Sequence, residues 1–179
     1  MISLVLGGAR SGKSEVGERL AQRHADEAGG IGRGAPVTFV ATAASGTGDA
    51  DFDERIARHR RRRPAHWSTV EVPPGESLTT ALTVAGVVLV DSLGTWLAGY
   101  DGFPADLDSL LASLEWRRSR GGATVIVSDE VGLGVHPATS LGLEFRDALG
   151  AVNRRVAGLA DDVRLVVAGR VLVLPVEEA

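Results

Sequence analysis

The chain has 179 residues, 44% of them hydrophobic and 23% charged, with a formal net charge of −4; this suits a globular protein and argues against a nucleic-acid partner, which would call for a basic surface. No cysteine occurs, which excludes a disulfide scaffold and a thiolate metal site. No apolar run approaches the roughly 20 residues of a membrane span, and MISLVLGG lacks the basic start of a signal peptide, so a cytoplasmic protein is expected.

In chain order, ISLVL (2–6) reads as a strand, and the pattern that follows GGARSGKS (7–14) predicts a helix over 13–25. The glycine-rich EAGGIGRGAP (27–36) predicts a surface loop, PVTFVATA (36–43) a strand, and ASGTGDAD (44–51) a second loop. A helix is expected over 51–62, stopped by Pro64. Next come a strand at 67–72, a helix at 76–84, a strand at 87–93 (VVLVDSL) and a helix at 105–119. The strand ATVIVSDE (123–130), a helix over 138–159, and short strands at 164–169 and 170–174 complete the chain. Valine-rich runs with little polar alternation suit strands buried on both faces of a parallel sheet. Their alternation with helices predicts an α/β fold: a mostly parallel sheet flanked by helices, with an antiparallel edge strand at the C-terminal end. No internal repeat or long linker divides residues 1–179, so one domain is expected.

Gly7-Gly8-Ala9-Arg10-Ser11-Gly12-Lys13-Ser14 fits the phosphate-loop pattern G-x-x-x-x-G-K-[ST]. Glycines let successive backbone N–H groups turn toward an anion without a Cβ in the way, and the helix that follows adds its positive end. The pattern sits between a strand and a helix, as the chemistry requires. Lys13 is the only lysine in a chain that otherwise uses arginine, which points to a need for an ammonium group on the outer phosphates. The Ser14 hydroxyl is expected on Mg²⁺, together with an acid at a strand end. Asp91, closing VVLVD, is the first candidate for that acid, and the pair Asp129-Glu130 is the second. These features predict a P-loop NTPase-like domain that takes a nucleoside triphosphate, GTP or ATP, with Mg²⁺.

DFDERIARHRRRRPAHW (51–67) is the second informative stretch. Helical spacing puts Phe52, Ile56 and His59 on one face. Three readings stand side by side. His59 is a packed histidine beside solvated arginines, or RHRRRR is a basic patch, or the arginines hold phosphates and His59 is a nucleophile. In the third, neighbouring cations keep the imidazole neutral and stabilise charge on the phosphorus it attacks.

Taken together, GGARSGKS, VATA, RIARHRRRRPAHWSTVE, VLVDSLGTWL, VSDEVGLGVHP, FRDALGAVNRRVA and ADDVRLVVAG resemble the adenosylcobinamide kinase / adenosylcobinamide-phosphate guanylyltransferase family, from residue 2 to about residue 170. The resemblance implies phosphorylation of adenosylcobinamide by a nucleoside triphosphate, then attachment of GMP from GTP through a guanylylated histidine, which falls on His59. It also implies nucleotide contacts at Gly7 through Ser14 (Gly7, Gly8, Ala9, Arg10, Ser11, Gly12, Lys13, Ser14), at Ala41, Thr42 and Ala43, at Arg60, Arg61, Arg62 and Arg63, and at Glu71 and Asp91. A homotrimer, a corrinoid substrate, no nucleic acid and no membrane span are implied as well. The chain departs from the family's usual residues at Ser92, Gly94, Thr95, Asp129, Arg58 and Arg154. Two rivals remain open from the residues alone: a P-loop kinase for another small hydroxylated substrate, and a nucleotide-controlled binding module.

Overall fold

The computed structural model describes residues 1–29, 34–43, 54, 57 and 60–175. Among them the sheet has seven strands: β1 (Ile2–Gly7), β2 (Val37–Ala41), β3 (Ser68–Glu71), β4 (Val87–Asp91), β5 (Ala123–Asp129), β6 (Asp162–Val167) and β7 (Arg170–Val173). Their order is β3-β2-β4-β5-β1-β6-β7. All neighbours are parallel except β6 and β7, the expected antiparallel edge. The α-helices described from end to end are α1 (Lys13–Gly29), α2 (Leu93–Ala98), α3 (Leu107–Ser119) and α4 (Ser140–Leu159).

Strand periodicity builds the two cores. Ile2, Leu4 and Leu6 of β1 join Val88, Val90 and Ile126 beneath α2, α3 and α4. Val5 faces the opposite way with Leu89, Val125 and Val127, beneath Val16, Leu20 and Ala21 of α1. Successive side chains of a strand point to opposite faces, so strands covered by helices on both faces need apolar residues at nearly every position. Each fully buried Leu, Ile or Phe contributes roughly 1.5–3 kcal/mol of transfer free energy. The parallel arrangement brings Gly7, Ala41, Glu71, Asp91 and Asp129 to the same edge of the sheet, where ligands of such sheets bind.

Several expected elements differ. The helix expected over 76–84 is a single 3₁₀ turn, Ala81–Thr83. Ser77 Oγ accepts the Thr79 N–H at 3.2 Å and the Thr83 hydroxyl donates to Thr80 O at 2.8 Å; such local bonds compete with helix formation. Leu78, Ala81 and Leu82 are buried all the same, so the apolar spacing reported burial without reporting helix. The strand expected over 87–93 stops at Asp91, because Ser92 caps α2, a helix the sequence pattern did not reveal. The Ser92 side chain accepts the Thr95 N–H, and the Thr95 hydroxyl accepts the Ser92 N–H in return. The loop expected from residue 27 begins later, since α1 continues to Gly29. His66 is exposed, and Trp67 beside it is buried. Of the helix expected over 51–62, residues 54, 57 and 60–62 are helical; Phe52, Ile56 and His59 lie outside the described residues, as does the loop expected over 44–51.

Helix α3, expected from residue 105, starts at Leu107 with Asp106 as its N-cap. Its carboxylate accepts the Ser109 hydroxyl at 2.6 Å and the Ser109 N–H at 3.0 Å. These two bonds, the hydroxyl's first, hold the Asp106 carboxyl below its ordinary value. A depressed acid contributes its stability above the unfolded-state pKa and loses it as pH falls through the folded one. Asp106→Ala should therefore lower the melting temperature at pH 7, with a deficit that closes in the acid range. Thermal unfolding at pH 7 and pH 3 checks this; a deficit equal at both would rule out the ionised cap.

Candidate nucleotide site

The loop between β1 and α1 is shaped by three positions. A Cβ at Gly7 would stand 2.4 Å from Ser11 Oγ and 2.8 Å from Val166 O, so no side chain fits there. Arg10 at φ 57° and Gly12 at φ 93° adopt left-handed conformations, the alternation that turns consecutive N–H groups into an anion-binding concavity. Ser11 N–H donates to Gly8 O at 3.3 Å, and Val16 N–H donates to Gly12 O at 3.1 Å, where the helix begins. From outside, the β6–β7 turn props the loop: Gly169 N–H donates to Ser11 O at 2.9 Å. Ser11 Oγ is buried with no partner among the described residues. A buried hydroxyl left unsatisfied costs about 1–3 kcal/mol, an expense that a phosphate oxygen would remove.

Lys13 is 8% exposed. Its Nζ lies 2.7 Å from Asp129 Oδ1 and donates to Gly8 O at 3.2 Å. Asp129, the second of the two candidate acids, is thus the carboxylate paired with the loop lysine. Two helices fix it. From α4, Asn153 donates through Nδ2 to the Asp129 carbonyl at 3.0 Å and accepts the Ser128 hydroxyl at 2.6 Å. From the start of α2, the Ser92 hydroxyl donates to Asp129 Oδ2 at 3.3 Å. Gly94 leaves the carboxylate its space: a Cβ there would stand 2.3 Å from Oδ2.

The remaining expected residues surround this edge. Ala41 pairs with Asp91 in register. The Thr42 hydroxyl, buried, donates to Ser92 O at 2.7 Å and accepts the Ser92 N–H at 2.8 Å, which locks the end of β2 to the start of α2. Ala43 follows directly. Arg62 reaches the first turns of α1, with Nη1 on Glu15 at 2.5 Å and Nη2 on Glu18 at 2.9 Å. The Glu18 hydrogen bond is the main cause that raises the Arg62 guanidinium above its ordinary value. Arg60 pairs with Glu71 at 2.5 Å, and Arg61 is exposed. Arg63 stacks on Phe39, 3.4 Å from the ring centroid. Burial pushes the Arg63 guanidinium down, while the Asp91 charge opposes that shift. Trp96 and Tyr100 both donate to Glu76 O at 3.0 Å. Sequence reasoning missed Gly94 as the space for Asp129, and the Ala168–Gly169 turn as the loop's prop.

A glycine-shaped nest with a buried lysine, set between the first strand and first helix at the C-terminal edge of a parallel sheet, defines a P-loop nucleotide-binding α/β protein. The fold is similar to that of the KaiC-like protein PH0186 from Pyrococcus horikoshii OT3, with a TM-score of 0.52 at 13% identity over 97% of this chain and 89% of that one. Residues 3–174 match the family described as cobinamide kinase / cobinamide phosphate guanyltransferase, and the chain belongs to that family. It is 38% identical over 174 residues to the bifunctional adenosylcobalamin biosynthesis protein CobP of Pseudomonas aeruginosa, covering 94% of each chain. It is 34% identical to the corresponding CobU protein of Escherichia coli, over 94% of this chain and 97% of that one. The protein is accordingly a bifunctional cobinamide kinase and cobinamide-phosphate guanylyltransferase of cobalamin biosynthesis. Among the described residues, no helix is long and apolar enough to cross a membrane.

Proposed function

We propose that both reactions use the one nucleotide site at the edge of the sheet, and that His59 is the residue that carries GMP. The observation that supports this most directly is the docking of residues 60–63. Arg62 is pinned to Glu15 and Glu18, one and four residues beyond Ser14, and Arg60, the residue next to His59, is pinned to Glu71. The arginine segment is therefore anchored to the helix that follows the phosphate loop.

In the kinase reaction the loop N–H groups and Lys13 hold the β- and γ-phosphates. The substrate hydroxyl oxygen attacks the γ-phosphorus, the bond to the β,γ-bridging oxygen breaks, and the nucleoside diphosphate leaves as the hydroxyl proton passes to solvent. Positioning and charge neutralisation supply most of the rate in such transfers. In the second reaction an imidazole nitrogen of His59 attacks the α-phosphorus of GTP, and the α,β-bridging P–O bond breaks to release pyrophosphate. A phosphate oxygen of adenosylcobinamide phosphate then attacks the same phosphorus, the P–N bond breaks and His59 is regenerated. Dividing the transfer in two lowers each barrier.

We take Mg²⁺ as the ion that accompanies the triphosphate. Ser14 and Asp91 offer hard oxygen donors beside the nest, and the orphaned Ser11 hydroxyl awaits an oxygen-rich ligand. Ser14 and Asp91 would hold the ion, which when bound neutralises charge on the phosphate oxygens. We also take residues 1–179 as one cytoplasmic domain that assembles as a trimer, with adenosylcobinamide as the corrinoid.

The histidine role is tested with GTP labelled at the α-phosphate. Label should remain on the denatured wild-type protein, be released by acid, and be absent from His59→Ala, while γ-phosphate transfer to cobinamide persists in that variant. Wild-type protein that captures no label from Mg²⁺-GTP would refute the covalent step.

A further inference from the structure

Asp129 is unused by either reaction as described, yet it is the group closest to the lysine that both require. Its strand places it there: Asp129 of β5 stands in register with Gly7 of β1, the first residue of the phosphate loop. The contacts divide by function. Asn153 holds its main chain, Ser92 donates to Oδ2, and Oδ1 pairs with Lys13. The absent Cβ of Gly94 makes this possible, since any larger residue would occupy the position of Oδ2. The carboxylate and its main chain therefore have supports in the fold other than Lys13.

We propose that Asp129 is a positioning residue that holds Lys13 in the nest before substrate arrives and then, with its own charge left fixed beside the phosphates, makes triphosphate binding depend on a divalent cation. The physics has two steps. Without nucleotide, the carboxylate neutralises a buried ammonium that would otherwise be costly to desolvate. When a triphosphate takes the ammonium, Asp129 is left as a negative charge near negative oxygens, a repulsion that a divalent cation relieves. Metal and nucleotide thereby become linked ligands, each raising the affinity of the other by the same factor. The inference rests on the nucleotide site proposed above, and it concerns how that site selects a metal-bound triphosphate over a free one.

The test is calorimetric binding of α,β-methylene GTP, which His59 cannot cleave, in excess Mg²⁺ and again in chelator. The ratio of the two affinities measures the linkage. Asp129→Asn keeps size and one acceptor oxygen but removes the charge. It should tighten metal-free binding and shrink the ratio by about tenfold, within the roughly 5–150-fold span usual for coupled sites. Gly94→Ala, which displaces Oδ2, should shrink the ratio in the same direction. In an Asp129→Ala background the same glycine change should leave it unmoved, since the two positions act through one contact. An unchanged ratio in Asp129→Asn and in Gly94→Ala overturns the proposal, as does metal-free binding that weakens in Asp129→Asn, which would make Asp129 only an orienting group. Wild-type protein that binds the analogue under neither condition would instead refute the nucleotide site itself.

Discussion

Lys13→Ala should lower kcat/KM for both the phosphorylation of cobinamide and the transfer of GMP by at least roughly 10²–10³-fold, the loss seen when one preorganised charge-stabilising donor is removed. That corresponds to about 2.7–4 kcal/mol of transition-state stabilisation. Both reactions should suffer because both build charge where the ammonium can reach it. The kinase builds it on the transferring γ-phosphoryl group and the β-oxygen it leaves, and the guanylyl transfer builds it on departing pyrophosphate. The fold should survive, since Asp129 keeps Ser92 as a partner and its carbonyl keeps Asn153. Lys13→Arg should not restore activity. Lys13 is 8% exposed and its ammonium is bonded to Gly8 O and Asp129 at once, and a planar guanidinium is wider, with donors fixed in a fork that does not converge on those two atoms. Steady-state rates for each half-reaction, with melting temperature as the folding control, check both variants. A Lys13→Arg enzyme within tenfold of wild type would show that charge alone suffices and that the shape of the nest has no bearing.

What sequence made legible here follows from distance along the chain. The phosphate loop is eight consecutive residues whose chemistry is local, so composition and flanking pattern identified it. The buried strands announced themselves through valine runs, and the antiparallel edge followed from two short strands around Ala168–Gly169. Contacts across long separations left weaker traces. Lys13 and Asp129 are 116 positions apart, and nothing in either neighbourhood names the other. Ser92, Gly94 and Asp129 each stood out as departures from the family's usual residues, but only the fold shows that they meet at one carboxylate. The short helix α2 was hidden for a different reason. Six residues give too little periodicity to detect, and its capping residues, Ser92 and Thr95, also fit a strand. The resemblance gave the arginines of 60–63 one role, nucleotide contact, whereas the fold gives them four separate situations: Arg60 on Glu71, Arg61 exposed, Arg62 on α1 and Arg63 on Phe39.

Arg117 was invisible in the same way, and its replacement should have the largest effect on stability. In LEWRRS it reads as one of two basic residues closing a helix, a favourable place for positive charge. In the fold it is 3% exposed. Nε donates to Thr124 Oγ1 at 3.1 Å, Nη1 to Leu82 O at 3.0 Å and to Val84 O, and Nη2 to Gly86 O at 2.7 Å and Ala123 O at 3.3 Å. Burial pushes its guanidinium below its ordinary value, but five donors in a plane match five acceptors that no other side chain could serve together. Those bonds also bear on the irregular path of residues 82–86, where the carbonyls of Leu82, Val84 and Gly86 turn to Arg117 rather than along a helix. Arg117→Ala leaves these acceptors without their partner. At about 1–3 kcal/mol per acceptor left dry, and with water entering to satisfy some of them, the loss should be about 3–5 kcal/mol. For a chain of this length that lowers the melting temperature on the order of 10 °C. Arg117→Lys keeps the charge with three donors in a different geometry and should lose roughly half as much. The residue sits beside the first residues of β4 and β5, at the opposite end of the sheet from the phosphate loop. Activity per folded molecule should therefore be unchanged well below the melting temperature. Denaturant unfolding with a parallel kinase assay separates the two effects; a loss under about 1 kcal/mol would mean that water replaces the guanidinium.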